Sequence, residues 1–292
     1  MPVEGNRSNL GRSRGAYPTP FLMMSNQLVS LEIPTTSARC PRCLIQFPIT
    51  AATMLSIPTP AADAPAHERY HFKPLLGSSH WWALKQLGGN VTGKRILDIG
   101  AGGGGIGRAI RAENPEKLVA VEIDTRSHSV LQEAYDVVAT DIAPVSDQRF
   151  DWIVLLDVLE HLPKPVDYLR GLRGLMSPHG KILISVPNVA HWSVRFPLFF
   201  LGSFEYQALG IMDGSHLQFF SRKGFLRLCK SLPGTTISEL SASIEPFELA
   251  LPRYLSDNFI YRALLPVRHR LACLLPGLMA YQHLAVVQAS EV

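Results

Sequence analysis

The stretch Arg95 to Gly105, RILDIGAGGGG, places an aspartate and a run of glycines directly behind a short apolar segment. Gly100, Gly102 and Gly105 satisfy G-x-G-x-x-G, the pattern whose loop N–H groups and helix N-terminus receive a pyrophosphate. Asp98, Gly100, Gly102 and Gly104 equally satisfy D-x-G-x-G-x-G. The glycines alone do not choose between the two. The carboxylate does: two residues before the first glycine it repels an anionic ligand and favours a cationic one held close to bare backbone. A ligand with an ammonium and a sulfonium and no phosphate, such as S-adenosylmethionine, suits Asp98 better than a dinucleotide.

Further residues of the right type follow at the ends of apolar runs. Glu122 closes VAVE about 20 residues beyond the glycines, where an acid accepts hydrogen bonds from ribose hydroxyls, and Ile123 stands beside it. Asp141 and Ile142 close ATDI, the first placed to accept an exocyclic amine and the second to cover a ring face. Two histidines are candidates for general-base work on an acceptor hydroxyl. His161 lies in DVLEHLP, and His216 lies three residues after Asp213 in MDGSH, a spacing that permits an Asp-His pair. His191 and Trp192 are expected at the mouth of a pocket, and Trp81 and Trp82 are expected to pack a first helix.

The elements that must position these groups alternate regularly from His67 onward. HWWALKQLGG reads as an amphipathic helix closed by glycine, and KRILDIG as a strand too continuously apolar for a one-faced sheet. IGRAIRAE, RSHSVLQEAY, PVDYLRGLRGLM and SRKGFLRLCKSL read as helices; KLVAVEID, DVVATDI, RFDWIVLLDV and HGKILISVPN read as strands. The strands TTISELSASI and HLAVVQA close the chain. This alternation predicts a doubly wound, mostly parallel α/β sheet with its ligand at the carboxyl ends of the strands.

Composition bounds the rest. The chain has 292 residues, 47% hydrophobic and 18% charged, with a formal net charge of +4 and no basic stripe, so nucleic acid is not an expected partner. Residues 1–66, rich in Pro, Ser, Thr and Ala, read as a loosely structured arm before a domain over 67–292. Cys40 and Cys43 form half of a zinc ribbon without a second close pair, so free thiols and no metal site are expected. No disulfide framework and no export signal are implied, which fits the cytoplasm. No run of about 18 apolar residues crosses a membrane.

ILDIGAGGGG, VAVEID, ATDI, FDWIVLLDVLEHLPKP and LMSPHGKILISVPN together resemble, in order and spacing, the successive motifs of class I S-adenosylmethionine-dependent methyltransferases. The similarity is closest to the branch of ubiquinone-biosynthesis and bacterial surface-glycan methyltransferases, and it spans Arg95 to Lys230. It implies a Rossmann-like sheet of seven strands with the last antiparallel, and cofactor contacts at Asp98, Gly100, Gly102, Glu122 and Asp141. Methyl transfer to oxygen or nitrogen of a small-molecule or carbohydrate-type acceptor is the expected activity. A nicotinamide- or nucleotide-sugar-linked oxidoreductase and a non-catalytic cofactor-binding module are the alternatives. Residues 188–220, with Gly202, Gly210 and Gly214, are expected to form a mobile lid over the acceptor. Residues 246–282 have no clear counterpart; 254–281 mix apolar residues with Arg262, Arg268 and Arg270, suiting either a helical cap interrupted by Pro266 and Pro276 or a lip touching a membrane or lipid-linked substrate.

Overall fold

The computed structural model describes residues 64–246 and 258–290. The arm expected over residues 1–66, with Cys40 and Cys43, lies almost wholly outside the described residues, as does the part of the carboxyl-terminal insertion over 247–257.

Seven strands form one sheet: β1 (Arg95–Ile99), β2 (Lys117–Val121), β3 (Val137–Ala139), β4 (Phe150–Leu156), β5 (Met176–Pro187), β6 (Thr235–Ala242) and β7 (Gln282–Ala289). Their order is β3-β2-β1-β4-β5-β7-β6. The first five pair in parallel, and β7 inserts antiparallel between β5 and β6. The sheet matches the expected doubly wound architecture, including its reversed last strand.

Apolar continuity in the central strands reflects burial on both faces. Leu97, Ile99, Val119, Val121, Ile153, Leu155, Ile182 and Ile184 face one way, onto α5 (Pro165–Gly171) and α7 (Arg222–Lys230) through Leu169, Phe225 and Leu228. Ile96, Leu118, Trp152, Val154 and Leu183 face the other, onto α2 (Ser79–Leu87) and α3 (Gly105–Ile110) through Trp82, Leu87, Ile106 and Ile110. Trp82 therefore packs the first long helix as expected, and its Nε1 donates to Glu239 at 3.1 Å. Helix α2 starts where Ser78 accepts from the Trp81 N–H, which satisfies a donor with no partner inside the helix.

Two helices differ from the sequence reading. RSHSVLQEAY forms only a 3₁₀ turn and one α-turn, α4 (His128–Leu131), before the chain turns into β3. The cause is Tyr135, which the helical reading would carry onward; its ring instead inserts between β1 and α3, where its Oη accepts from Gly107 N–H at 3.0 Å and donates to Asp98. The other difference is α1 (Ala66–Arg69), a single turn preceding an extended segment to Leu75. Proline accounts for neither; the α1 backbone is held from outside, with Ala66 N–H on Asp124 (2.9 Å) and His67 N–H on Ser127 Oγ (3.1 Å).

The edge formed by the carboxyl ends of β1 to β5 is the one to which the glycine loop belongs. At Gly100 (φ 72°) an added Cβ would meet Val158 Cγ2 at 2.6 Å, whereas at Gly89, with the same φ, it would meet nothing within 4 Å. Both positions charge an alanine the left-handed backbone cost of roughly 1–2 kcal/mol. Only Gly100 adds a collision. Gly100→Ala is therefore expected to lower the melting temperature more than Gly89→Ala, read by thermal denaturation of the two variants side by side; equal losses would mean that Val158 yields freely.

Candidate active site

Asp98 ends up turned into the protein. On β1 it shares a face with Ile96, is 4% exposed, and its carboxylate accepts the Tyr135 hydroxyl. Burial, opposed by that hydrogen bond and helped by the nearby Glu122 charge, pushes its pKa up to about 6. Asp98 thus holds the loop through Tyr135, both being enclosed behind Gly107, which has no room for a side chain.

Glu122 sits at the very end of β2 and ties the loop to the sheet. One carboxylate oxygen accepts from Gly102 N–H at 2.8 Å and the other from Asp124 N–H at 3.0 Å. Each oxygen keeps a second lone pair for a ligand. Ile123, beside it, is 60% exposed although large and apolar. Asp141 is exposed, with one oxygen accepting from Ala143 N–H, and Ile142 packs partly onto the core. Gly104 caps α3 in the left-handed conformation, φ 74°.

Residues 66–72 lie across this loop: His67 over Gly103, Tyr70 beside Gly102 and Phe72 against Gly105. Arg69 reaches Asp213 at 3.7 Å, and Tyr70 lies beside Ser215 and Glu122. Nothing in the sequence marked this crossing, since the segment has no periodicity of its own.

His161 and His216 are brought together, their rings 4.8 Å apart and edge to face. His161 follows β4 in the 3₁₀ turn Leu159–His161. The loop carrying His216 is docked on that turn, because Leu217 N–H and Gln218 N–H both donate to the Glu160 carbonyl, at 2.8 and 2.9 Å. The expected Asp213–His216 side-chain pair does not form. Asp213 spends its Oδ1 on the N–H and hydroxyl of Ser215, and His216 Nδ1 faces the Ile211 carbonyl at 3.0 Å. Glu160, which sequence reasoning passed over although it adjoins His161, is 1% exposed, and neither of its carboxylate oxygens has a hydrogen-bond partner. Burial, together with the charge of Asp157, pushes its pKa well above the usual carboxylate range. One donor atom each from Glu160, His161 and His216 lies within 4.8 Å of the others, so the expectation of no metal site met a cluster able to hold one.

The segment over 188–220 is anchored at both ends. Asn188 Nδ2 donates to the Ala280 carbonyl at 2.8 Å, and Val189 N–H donates to Phe220. Between them runs α6 (Trp192–Leu201). His191 is fully buried rather than at a pocket mouth: its Nε2 lies 2.7 Å from Glu245, which also accepts from Trp192 Nε1 and Arg268. That carboxylate joins α6 to α8 (Phe259–Leu274), the helical body of the carboxyl-terminal insertion.

A mostly parallel sheet in this strand order with β7 reversed, a glycine loop after β1 and an acid just past β2 defines a Rossmann-like methyltransferase fold. The chain belongs to the methyltransferase domain family, whose model matches residues 82–232. It is similar to the ubiquinone biosynthesis O-methyltransferase of Leptothrix cholodnii, 26% identical over 160 residues covering 50% of this chain and 66% of that one. The corresponding enzyme of Pseudomonas syringae is 27% identical over 108 residues, 34% of this chain and 47% of that one. The match thus spans about half the length of the first curated relatives. A methyltransferase-fold protein from Bacillus halodurans aligns over 73% of this chain and 100% of its own at 16% identity, with a TM-score of 0.50. Membership of this class resolves the choice at the glycine loop against the oxidoreductase reading.

The raised Asp98 pKa has a measurable sign. A carboxyl whose pKa rises from 3.8 to about 6 on folding is held protonated more tightly by the folded chain, so its contribution falls as pH climbs through that window, by about 3 kcal/mol. Asp98→Asn keeps an acceptor for Tyr135 and removes the buried charge. Denaturant melts are expected to show the variant gaining on the wild-type chain between pH 4 and about 6, with a constant difference above; a pH-independent difference would contradict a buried, raised carboxyl.

Proposed function

We propose that the protein transfers a methyl group from S-adenosylmethionine to an oxygen or nitrogen of a small-molecule or carbohydrate-type acceptor. The observation that carries this reading is Glu122, fixed by Gly102 and Asp124 N–H groups with lone pairs left for ribose hydroxyls, next to an exposed Ile123 that offers an apolar face to adenine. Gly100, Gly102 and Gly104 give the backbone approach, while Asp141 and Ile142 hold the far end of the base. Acids crowd this edge and suit a cationic ligand: Asp98, Glu122 and Asp141 lie at or just past the carboxyl ends of three adjacent strands. When bound, S-adenosylmethionine supplies an electrophilic methyl group on sulfur.

The chain's own residues orient and enclose. Residues 66–72 shield the loop from water, and alignment of acceptor and methyl supplies much of the acceleration in a displacement of this kind. His161 and His216 stand on the acceptor side after β4. The names of the curated relatives favour oxygen as the acceptor atom. The helices α6 and α8 carry large exposed apolar residues, Phe199 81% and Phe259 83% exposed, with Arg262 and Arg270 also exposed. They suit an acceptor with an apolar tail presented at a membrane surface; among the described residues no helix is long and apolar enough to cross one.

Calorimetry is expected to show binding of S-adenosylmethionine and its demethylated product and none of NAD; the reverse would sink the reading. Glu122→Ala should weaken that binding more than Asp141→Ala, because each charge-assisted hydrogen bond to ribose contributes about 1.5–3 kcal/mol and Glu122 also holds the loop. Near-wild-type affinity in both variants would mean that β2 does not carry the ribose site.

A further inference from the structure

Acids at the carboxyl edge suit the ammonium and the sulfonium of S-adenosylmethionine, but that ligand also carries a carboxylate, and an acceptor can carry another. An anion enclosed among acids needs a cation to offset it. Three cations near the glycine loop are already committed: Arg69 lies 3.7 Å from Asp213, Arg126 holds Asp124 at 2.8 Å, and Arg108 donates to the Gly103 carbonyl. Lys73 is not. Among the described residues its Nζ takes part in no hydrogen bond and no ion pair. It is nonetheless half-buried, and burial lowers its pKa from the ordinary lysine value against the opposing charge of Asp157. An ammonium offers three donors and no acceptor, so these N–H groups are partly withdrawn from water with no partner among the described residues.

The segment that carries Lys73 is fixed against the ligand edge. Phe72, just before it, lies against Gly105 at the start of α3 and meets the His80 ring edge to face at 5.3 Å. The Lys73 carbonyl accepts from Ser78 Oγ at 2.6 Å, and the Gly77 carbonyl accepts from Ile244 N–H at 2.9 Å, so the backbone on the carboxyl side of Lys73 is held too. The Lys73 charge acts on Asp157, directly after β4, and on His80. Neither neighbour is free to pair with it. Asp157 has both carboxylate oxygens occupied, Oδ1 by Ser185 Oγ at 2.7 Å and Oδ2 by Gln282 Nε2, and its backbone is held left-handed at φ 55°, a strain that persists only where the surroundings fix the residue. His80, whose pKa burial and the Lys73 charge push down to about 4, is neutral near pH 7. Lys73, His80 and Asp157 all keep part of their surface accessible. Resting on the methyl-transfer reading above, we infer that the Lys73 ammonium binds a ligand carboxylate between the glycine loop and the end of β4. The cofactor's own carboxylate and an acid group on the acceptor present the same chemistry to it, a pair of anionic oxygens for charge-assisted hydrogen bonds.

Calorimetry on the full chain separates the two sources without any need for turnover. One arm compares S-adenosylhomocysteine with its decarboxylated analogue; the other titrates benzoate and the uncharged benzamide into the chain saturated with S-adenosylhomocysteine. Lys73→Met keeps the apolar stem and removes the charge, and Lys73→Arg keeps the charge; melting curves certify both as folded. The wild-type chain is expected to prefer the carboxylate member of at least one pair by about 10- to 100-fold, the Met variant to lose that preference, and the Arg variant to keep most of it. Loss confined to the first pair assigns Lys73 to the cofactor's carboxylate, and loss confined to the second assigns it to an acid group on the acceptor. No preference within either pair in the wild-type chain, or a preference that survives in Lys73→Met, would overturn the inference. A wild-type chain that binds neither S-adenosylhomocysteine nor its analogue would sink the methyl-transfer reading instead, and Lys73 would then stand or fall on benzoate against benzamide in the free chain.

Discussion

The hydroxyl of Tyr135 settles the conformation on which the ligand edge depends. It accepts the Gly107 N–H, one of the donors that the start of α3 leaves without an intrahelical partner, and it donates to Asp98 at the end of β1. One side chain thereby fixes both ends of the glycine loop. The arrangement has costs: a carboxylate is buried, and Gly107 must stay a glycine because the ring fills the space of its side chain. Removing the hydroxyl would leave a buried acid and a helix N–H unmatched together, which costs more than the hydrogen bonds themselves contribute.

Glu122, buried like Asp98, repeats this logic at the next strand. Its two backbone hydrogen bonds hold Gly102 and Asp124 in place, and Asp124 in turn accepts from Ala66, where the segment over the loop begins. The neighbouring Arg126 guanidinium holds Asp124 down at about 2, so that anchor stays ionised at neutral and mildly acidic pH. Loop, strand end and covering segment therefore form one hydrogen-bonded unit in which a ligand would exchange contacts rather than create order from nothing.

The sheet was legible because β1, β2, β4 and β5 are buried on both faces, and continuous apolar runs between turn residues have few other uses. The glycines and Glu122 were legible because their types are constrained by backbone geometry and by position at strand ends. What stayed hidden depends on contacts between distant residues. Tyr135 looked like the end of a helix, and only its fit between β1 and α3 explains why α4 stops at Leu131. Asp213 and His216 had the spacing of a pair, but a short aspartate in a turn bonds its own backbone two residues on, and Ser215 claimed it. Glu160 gave a weak signal, an acid beside a histidine after a buried strand, and its isolation from every donor appears only in three dimensions.

The two sides of the carboxyl edge solve opposite electrostatic problems with the same device. Beneath the glycine loop the negative charge of Asp98 is enclosed with a neutral donor, so the acid is sheltered from water and its pKa rises. Four residues past the end of β4, Glu160 is enclosed with neither oxygen hydrogen-bonded, next to nitrogens whose hydrogens point elsewhere. A protein interior tolerates an unpaired acid only as a neutral carboxyl or beside a cation. A neutral carboxyl would carry a proton with no acceptor bonded to it, and the nearest available lone pairs are those of His161 and His216. The three groups therefore meet each other's polarity in one largely buried cluster at the turn after β4.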